Sequence, residues 1–133
     1  MSYRPRKDGT SMTSEFNHEE LRKQIESGGA EKYHEKNKER GKMFVRDRLK
    51  ELLDDDLNVE DAFFANCMDG SLPADGVVTG IGKVNGQRVC IMANDSTVKA
   101  GSWGKRTVEK ILRIQETAMK LELPMLYLVD SAG

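Results

Sequence analysis

The sequence predicts a mixed α/β fold, because a β-hairpin, a long amphipathic helix and a final apolar strand follow one another in its second half. Residues 77–84 and 87–93 are rich in β-branched and apolar residues and are separated by Asn85-Gly86. The segment from Lys105 carries apolar residues at helical spacing, and residues 124–129 form a short apolar run. A helix that links two strands of one sheet is a β-α-β crossover, which makes the two strands parallel.

The N-terminal part predicts an arm followed by short helices. Residues 1–15 show no hydrophobic periodicity, so we expect a mobile arm. Asn17 can cap a polar helix that ends at Gly28-Gly29, and a second helix is expected from about residue 30 to residue 40. A third helix, over residues 42–53, has one apolar face and should dock on the sheet.

The hairpin is the strongest local prediction, since both central residues of a type I′ turn need positive φ and Asn-Gly supplies them. Gly80 and Gly82 in its first strand predict a bulge or the close approach of another backbone. A polar loop of small residues over 94–104 then precedes the long helix. The apolar stripe of that helix consists of Val108, Ile111, Leu112, Ile114, Ala118, Met119 and Leu121.

Composition excludes several classes of function. The 133 residues are 38% hydrophobic and 32% charged, and 21 basic residues against 22 acidic ones give a net charge of -1. We therefore expect no global attraction to nucleic acid or to a membrane surface. Cys67 and Cys90 belong to no C-x-x-C pair, which favours free thiols over a disulfide. Without a long apolar run or a secretory signal, a cytoplasmic location is expected.

Few residues offer familiar catalytic chemistry. His18 and His34 each stand among charged residues on polar helices, so neither a metal site nor a histidine-based triad is expected. The glycines at 80 and 82 lie inside a hairpin, and this context does not fit a dinucleotide-binding turn. Two turns of small residues remain, at 94–104 and 130–133, each directly after an apolar strand. Because ligands gather beyond the carboxyl ends of parallel strands, the two turns are expected to line one cleft, although glycines that merely permit tight turns are the plainer alternative.

The third helix and its neighbourhood are basic, and two interpretations stay open. A solvated helix face explains such a pattern without any ligand, whereas a surface that contacts phosphate explains it with one. The basic residues are Lys36, Lys38, Arg40, Lys42, Arg46, Arg48 and Lys50.

From about residue 30 onward the chain resembles the carboxyltransferase subunits of biotin-dependent acyl-CoA carboxylases, with the propionyl-CoA carboxylase β-chain type as the nearest likeness. The segments that carry the resemblance are residues 32–36, 46–54, 75–82, 85–87, 94–104 and 123–133. The resemblance implies a crotonase-like fold of β-β-α units, of which this chain would be the N-terminal part. It divides the chain into residues 1–29, an arm with a short polar helix, and residues 30–133, an incomplete carboxyltransferase N-domain.

The resemblance also implies an activity and a set of site residues. Carboxyl would move from carboxybiotin to the α-carbon of a short acyl-CoA such as propionyl-CoA, and the backbone N–H groups of Ala132 and Gly133 would stabilise the enolate oxygen. The residues implied for CoA binding are Arg46, Lys99, Lys105, Ser96, Thr97 and Gly101. Biotin would come on a separate carrier domain or subunit, with a biotin carboxylase subunit as a further partner, and no metal is implied in this part. The full-length protein would be a homo-oligomer, and this chain alone would be inactive.

Two other functions remain open at this stage. A biotin-dependent acyl-CoA decarboxylase would use the same residues with the carboxyl group moving in the opposite direction. A non-catalytic assembly or binding module would use the hairpin and helices as an interface and need not bind CoA. Binding of an acyl-CoA separates either enzyme from the module.

Overall fold

The computed structural model describes residues 13–63 and 73–132, which form a four-stranded sheet with helices packed on both faces. The helices are α1 (Thr13–Glu26), α2 (Glu31–Glu39), α3 (Val45–Leu52) and α4 (Lys105–Leu121). The strands are β1 (Val59–Asp61), β2 (Val77–Val84), β3 (Gln87–Asn94) and β4 (Met125–Leu128). Two short 3₁₀ turns, Pro73–Gly76 and Lys99–Gly101, precede β2 and follow β3.

The strand order is β1-β2-β3-β4, and it confirms the predicted hairpin and crossover. Strands β2 and β3 pair antiparallel from Val77 opposite Asn94 to Val84 opposite Gln87. Strand β4 pairs parallel with β3, with α4 between them in the chain. Since β3 and β4 point the same way, their carboxyl ends lie side by side at one edge of the sheet.

The core lies on both faces of the sheet because successive side chains of a strand point to opposite sides. On one face, α3 packs Val45 and Leu49 against residues of β2 and β3, as its predicted docking requires. On the other face, α4 packs Ile114 and Ala118 against the same two strands. The buried residues of the α3 side are Val45, Leu49, Leu53, Val78, Val89, Ile91 and Ala93.

The structure corrects three expectations about the elements. Helix α1 begins at Thr13, so residues 13–15, which the sequence assigned to a mobile arm, are helical, and Asn17, which was predicted to cap the helix, lies inside it. Residues 1–12 lie outside the described residues. Strand β1 was not predicted, because three residues with two carboxylates carry no strand pattern of their own. It pairs antiparallel with β2 at Gly80, where an added Cβ would lie 2.2 Å from the carbonyl O of Val59. The predicted close approach at Gly80 is thus confirmed.

Helix α4 uses only part of its predicted apolar stripe. Of the seven residues, Ile111, Ile114 and Ala118 are buried. The buried face continues through the polar residues Thr107 and Lys110, which are 0% and 2% exposed. The remaining apolar residues of the stripe are exposed: Val108, Leu112, Met119 and Leu121.

Candidate functional site

The two turns of small residues meet at the carboxyl ends of β3 and β4, as expected for turns that follow neighbouring parallel strands, and the cleft expected between them stays a prediction. The N–H of Ala132 donates to the carbonyl O of Ala100 at 3.0 Å. The N–H of Asp130 donates to Oδ1 of Asn94 at 3.1 Å. We call residues 94–104 the first loop and residues 129–132 the second loop. Their backbones are therefore joined in a single site.

Gly101 allows the closest approach between the loops. A Cβ added to Gly101 would lie 2.0 Å from the carbonyl O of Asp130, a separation that no real side chain adopts. Its φ of +73° also belongs to the left-handed region that favours glycine. Lys99 and Ala100 precede it with φ of 50° and 52°, so three successive residues are left-handed. Consecutive non-glycine residues in this region store backbone strain beside the site.

The N-terminal helices hold the first loop from the other side. Thr97 accepts a hydrogen bond from the N–H of Gly29 at 2.8 Å, and Ser96 accepts one from Nδ2 of the buried Asn37 at 2.8 Å. Thr97 in turn donates from its N–H and its hydroxyl to Oδ1 of Asp95. Burial raises the pKa of the Asp95 carboxyl, although its hydrogen bonds with Thr97 partly offset that effect.

The second loop is tied to the linker between α2 and α3 through an ion pair. Nζ of Lys42 lies 2.7 Å from Oδ1 of Asp130. Burial by itself would raise the pKa of the Asp130 carboxyl, but hydrogen bonds from Lys42 and Ser96 outweigh it and hold that pKa below its usual value. Asp130 is therefore an anion at neutral pH and cannot act there as a general acid.

A buried polar cluster lies beneath the first loop. The Asp75 carboxylate, 2% exposed, accepts hydrogen bonds from Oγ1 of Thr107 at 2.6 Å and from Nζ of Lys99 at 3.2 Å. Nζ of Lys110 donates to the carbonyl oxygens of Ala74 and Val77 at 2.7 and 2.5 Å. The cluster thus links the 73–76 turn, the first loop and α4.

Lys110 is a residue that sequence reasoning missed. Burial lowers its pKa to about 8, although the carboxylates of Glu60 and Asp75 act in the opposite direction. A signal was present in the sequence, because residues 107, 110, 111, 114 and 118 share one helical face and three of them are apolar. A lysine on the apolar face of a helix marks a buried cation that needs partners.

The structure places the proposed CoA-binding cations in three different environments. Arg46 makes a two-pronged contact with Glu60, with both N···O distances at 3.0 Å, and its side chain is 16% exposed. Lys99 is paired with Asp75, as described above. Lys105 is exposed at the start of α4. Two of the three cations are therefore paired with carboxylates, and Lys105 is the one of the three that is exposed.

The remaining proposed site residues lie at the junction of the loops. Ser96, Thr97 and Gly101 are in the first loop, and the first two are engaged by the N-terminal helices. The N–H of Ala132 already donates to Ala100, so in this arrangement it is used within the protein. Gly133 lies outside the described residues.

Other features of the described residues lie apart from this junction. An open cavity of about 990 Å³ is lined by α1, α3 and the segment around β1, including Arg22, Phe44 and Phe63. Within residues 13–63 and 73–132, no group of three or more His, Cys, Asp or Glu residues is arranged to hold a metal ion. In the same ranges, no helix is both long and apolar enough to cross a membrane. Cys90 is a buried free thiol whose pKa burial raises, and Cys67 lies outside the described residues.

Comparison with known proteins identifies a family. Residues 36–133 match the carboxyl transferase domain. The chain is 68% identical over 114 residues to the uncharacterized carboxylase YngE of Bacillus subtilis (strain 168), covering 86% of this chain and 22% of that protein. It is 44% identical over 117 residues to the mitochondrial methylcrotonoyl-CoA carboxylase beta chain of Dictyostelium discoideum, covering 82% of this chain and 19% of that one.

The fold is shared with a solved structure. A crystal structure of transcarboxylase 12S, described as a hexamer assembly with hydrolyzed methylmalonyl-coenzyme A bound, superposes with a TM-score of 0.84 at 33% identity. The match covers 96% of this chain and 26% of that one. The expected crotonase-like fold is thereby confirmed. The chain spans about a fifth to a quarter of the length of these proteins.

Proposed function

Because the chain belongs to the carboxyl transferase domain family, we propose that it forms part of the carboxyltransferase component of a biotin-dependent acyl-CoA carboxylase. The observation that carries the proposal is the junction of the two loops at the carboxyl ends of parallel strands. Backbone groups converge there, and ligands of open α/β sheets occupy such positions. The acyl-CoA thioester would lie against this junction.

The proposed reaction generates negative charge that the second loop would stabilise. The α-carbon of the acyl-CoA loses a proton, and the charge that develops on the thioester oxygen is stabilised by preorganised N–H donors, each worth about 3 kcal/mol. We assign this role to the N–H groups of Ala132 and Gly133. The Ala132 donor would exchange its hydrogen bond to Ala100 for one to the thioester oxygen. Carboxybiotin, on a separate carrier domain or subunit, would supply the carboxyl group as its N–carboxyl bond breaks, and the ureido nitrogen that loses this group would take up the α-proton.

The CoA moiety would extend along the first loop. Ser96, Thr97 and Gly101 would shape the acyl and pantetheine end through the backbone that they hold in place. Among the cations, the exposed Lys105 is the readiest phosphate contact. Arg46 and Lys99 are already paired with Glu60 and Asp75, and these carboxylates offset part of the positive charge that would attract a phosphate.

The identity of the acyl group and of the partners is a finer proposal. We retain propionyl-CoA as the test substrate and include methylcrotonoyl-CoA, because a relative carries the latter name. A biotinylated carrier, a biotin carboxylase subunit and further copies of the full-length chain are the proposed partners. Carboxyl transfer in the opposite direction would make the protein a decarboxylase component with the same acyl-CoA site.

Acyl-CoA titration tests the proposal. Trp103, the only tryptophan, lies in the first loop at 52% exposure, so its fluorescence can report a ligand there. Propionyl-CoA should bind saturably to the chain, or to the chain joined to the remainder of the carboxyltransferase domain of the Bacillus relative. An analogue without the ribose phosphate should bind about tenfold more weakly, as expected from one lost charge-assisted contact.

A pair of lysine variants adds a matched control. Lys105→Ala should weaken propionyl-CoA binding about tenfold, whereas Lys83→Ala, an exposed lysine near the hairpin turn, should leave it unchanged. If Lys105→Ala and Lys83→Ala change the affinity for propionyl-CoA equally, Lys105 does not contact the ligand. If neither the chain alone nor the chain joined to the remainder of the Bacillus domain binds propionyl-CoA, although both are folded, the assembly module is favoured over either enzyme.

A further inference from the structure

Asn94, the last residue of β3, joins both loops through its side-chain amide and is 1% exposed. Its Oδ1 accepts the hydrogen bond from the N–H of Asp130 at 3.1 Å, and its Nδ2 donates to the carbonyl O of Gly101 at 3.5 Å. The geometry points to Asn94 as a positioning residue that sets the spacing of the two loops and so the direction of the N–H groups after Asp130. The inference rests on the proposed function, to which the oxyanion role of those N–H groups belongs.

The chemistry of the two partners fits the carboxamide at this position. A backbone N–H can only donate and a carbonyl oxygen can only accept, so the side chain must present one acceptor and one donor. An ionised carboxylate presents acceptors alone, and an aliphatic side chain presents neither. The backbone of Asn94 is itself fixed, because it pairs with Val77 in the hairpin. The amide therefore acts as a short link between a rigid strand end and both loops.

Apart from the hydrogen bond between the side chains of Ser96 and Asp130, the other contacts described between the loops involve backbone atoms. Ala132 bonds to the carbonyl O of Ala100, and Gly101 packs against the carbonyl group of Asp130. The hydrogen bond between Ala132 and Ala100 joins backbone atoms, so a side-chain substitution leaves both its donor and its acceptor in place. Asn94 differs from Ser96 in that its side chain bonds to backbone groups of both loops, so replacing it alters their spacing and leaves the backbone contacts between them in place.

Three variants test this role. Asn94→Asp is isosteric and regains a donor when its carboxyl group is protonated, Asn94→Leu never has one, and Asn58→Asp is the matched control at an exposed position. Each is compared with the unaltered chain at pH 8 and at pH 5. The readouts are the amide chemical shift and hydrogen exchange of Asp130, together with the affinity for propionyl-CoA.

Asn94→Leu removes the acceptor of the Asp130 N–H, so its Asp130 amide should exchange about 10- to 100-fold faster than in the unaltered chain. At pH 8 the ionised carboxylate of Asn94→Asp still accepts from that N–H and lacks only the donor to Gly101, so its defect should appear as a shifted Asp130 amide resonance and a weaker affinity for propionyl-CoA. The pH dependence of Asn94→Asp is therefore followed through its Asp130 chemical shift and its affinity.

The propionyl-CoA affinity of Asn94→Asp should fall about tenfold at pH 8. At pH 5 both values should return toward those of the unaltered chain, since burial raises the pKa of a carboxyl group and favours the protonated form. Asn94→Leu should be impaired at both pH values, and Asn58→Asp at neither.

The charged groups around this position are common to all the variants, so the comparison isolates Asn94. They include Asp95, which follows it in the chain and is influenced by His34 and Arg46, and Asp130, which is influenced by Lys42 and Arg48. An Asp130 amide that exchanges in Asn94→Leu at the rate of the unaltered chain, or a defect of Asn94→Asp that does not respond to pH, overturns the inference. If propionyl-CoA does not bind the unaltered protein, the proposed function fails while the Asp130 amide still decides the positioning role.

Circular dichroism establishes that each variant is folded. Should Asn94→Asp not fold, Asn94→Ser takes its place, because a single hydroxyl is too short to span both partners. Faster Asp130 exchange is then expected at both pH values. Exchange equal to that of the unaltered chain would refute the role of Asn94.

Discussion

Replacing Gly101 by alanine tests the close approach of the two loops. The added Cβ would lie 2.0 Å from the carbonyl O of Asp130, whereas real Cβ atoms essentially never come within 3.0 Å of another heavy atom. The second loop must therefore move by about 1 Å or more, since the obstacle is backbone and not a flexible side chain. Such a shift would break the hydrogen bonds of Asp130 and Ala132 with the first loop.

The expected cost follows from these contacts. Two hydrogen bonds at about 1 kcal/mol each give a loss near 2 kcal/mol in the free energy of unfolding. The strain of alanine at positive φ destabilises the folded state by about a further 1–2 kcal/mol. The lower conformational entropy of the unfolded chain with alanine offsets about 0.4–1 kcal/mol of this loss. Gly41→Ala is the matched control, because Gly41 has φ of +70° and no heavy atom within 4 Å of an added Cβ. The backbone contributions are shared, so the two variants should differ by about 2 kcal/mol.

Urea denaturation followed by circular dichroism measures the global cost, and Trp103 fluorescence follows the first loop in the same samples. Gly101→Ala should lower the unfolding midpoint well below that of Gly41→Ala and should change the Trp103 emission of the folded state. If the two variants unfold within about 0.5 kcal/mol of each other, the loops do not meet as described.

Two further predictions concern the supports of the site. The pKa of Lys110 is lowered to about 8, so between pH 8 and its ordinary value of 10.5 the unfolded chain binds more protons than the folded one, and stability rises with pH. Between pH 7.5 and pH 10 the free energy of unfolding of the unaltered chain, measured by urea denaturation, should rise by about 2–3 kcal/mol more than that of Lys110→Met. If the free energies of unfolding of the two proteins change with pH in parallel, Lys110 is not a buried charge. Gly29→Ala would place a Cβ 1.9 Å from the carbonyl O of Thr97 and should cost about 1–3 kcal/mol, which an unchanged melting temperature would disprove.

Local patterns predicted most of the sheet and its connections. The Asn85-Gly86 turn, the alternation of residues 77–93 and the helical spacing after Lys105 are each properties of a short segment. Their physical basis is local, since turn dihedrals and side-chain periodicity depend on residues a few positions apart. The meeting of the two loops was also predictable, because the carboxyl ends of neighbouring parallel strands share one edge of a sheet.

The tertiary structure decided which polar groups are paired. Arg46 was a candidate phosphate contact in a basic helix until the fold brought it to Glu60, 14 residues further along the chain. Lys99 and Asp75, 24 residues apart, meet in the same way. Strand β1 exists because Gly80 lets a polar segment approach β2, and its own sequence does not show this.

The sequence by itself therefore determined the hairpin, the helices, the final strand, their order and the place where the loops meet, since each depends on short-range periodicity or on strand direction. Only the fold decided that Lys110 is buried, that Asn94 joins both loops and that the N–H of Ala132 is held by Ala100. Those features depend on which distant groups come within about 3 Å of one another. Such distances are set by the packing of the whole chain, so they cannot be derived from the spacing of residues along the sequence.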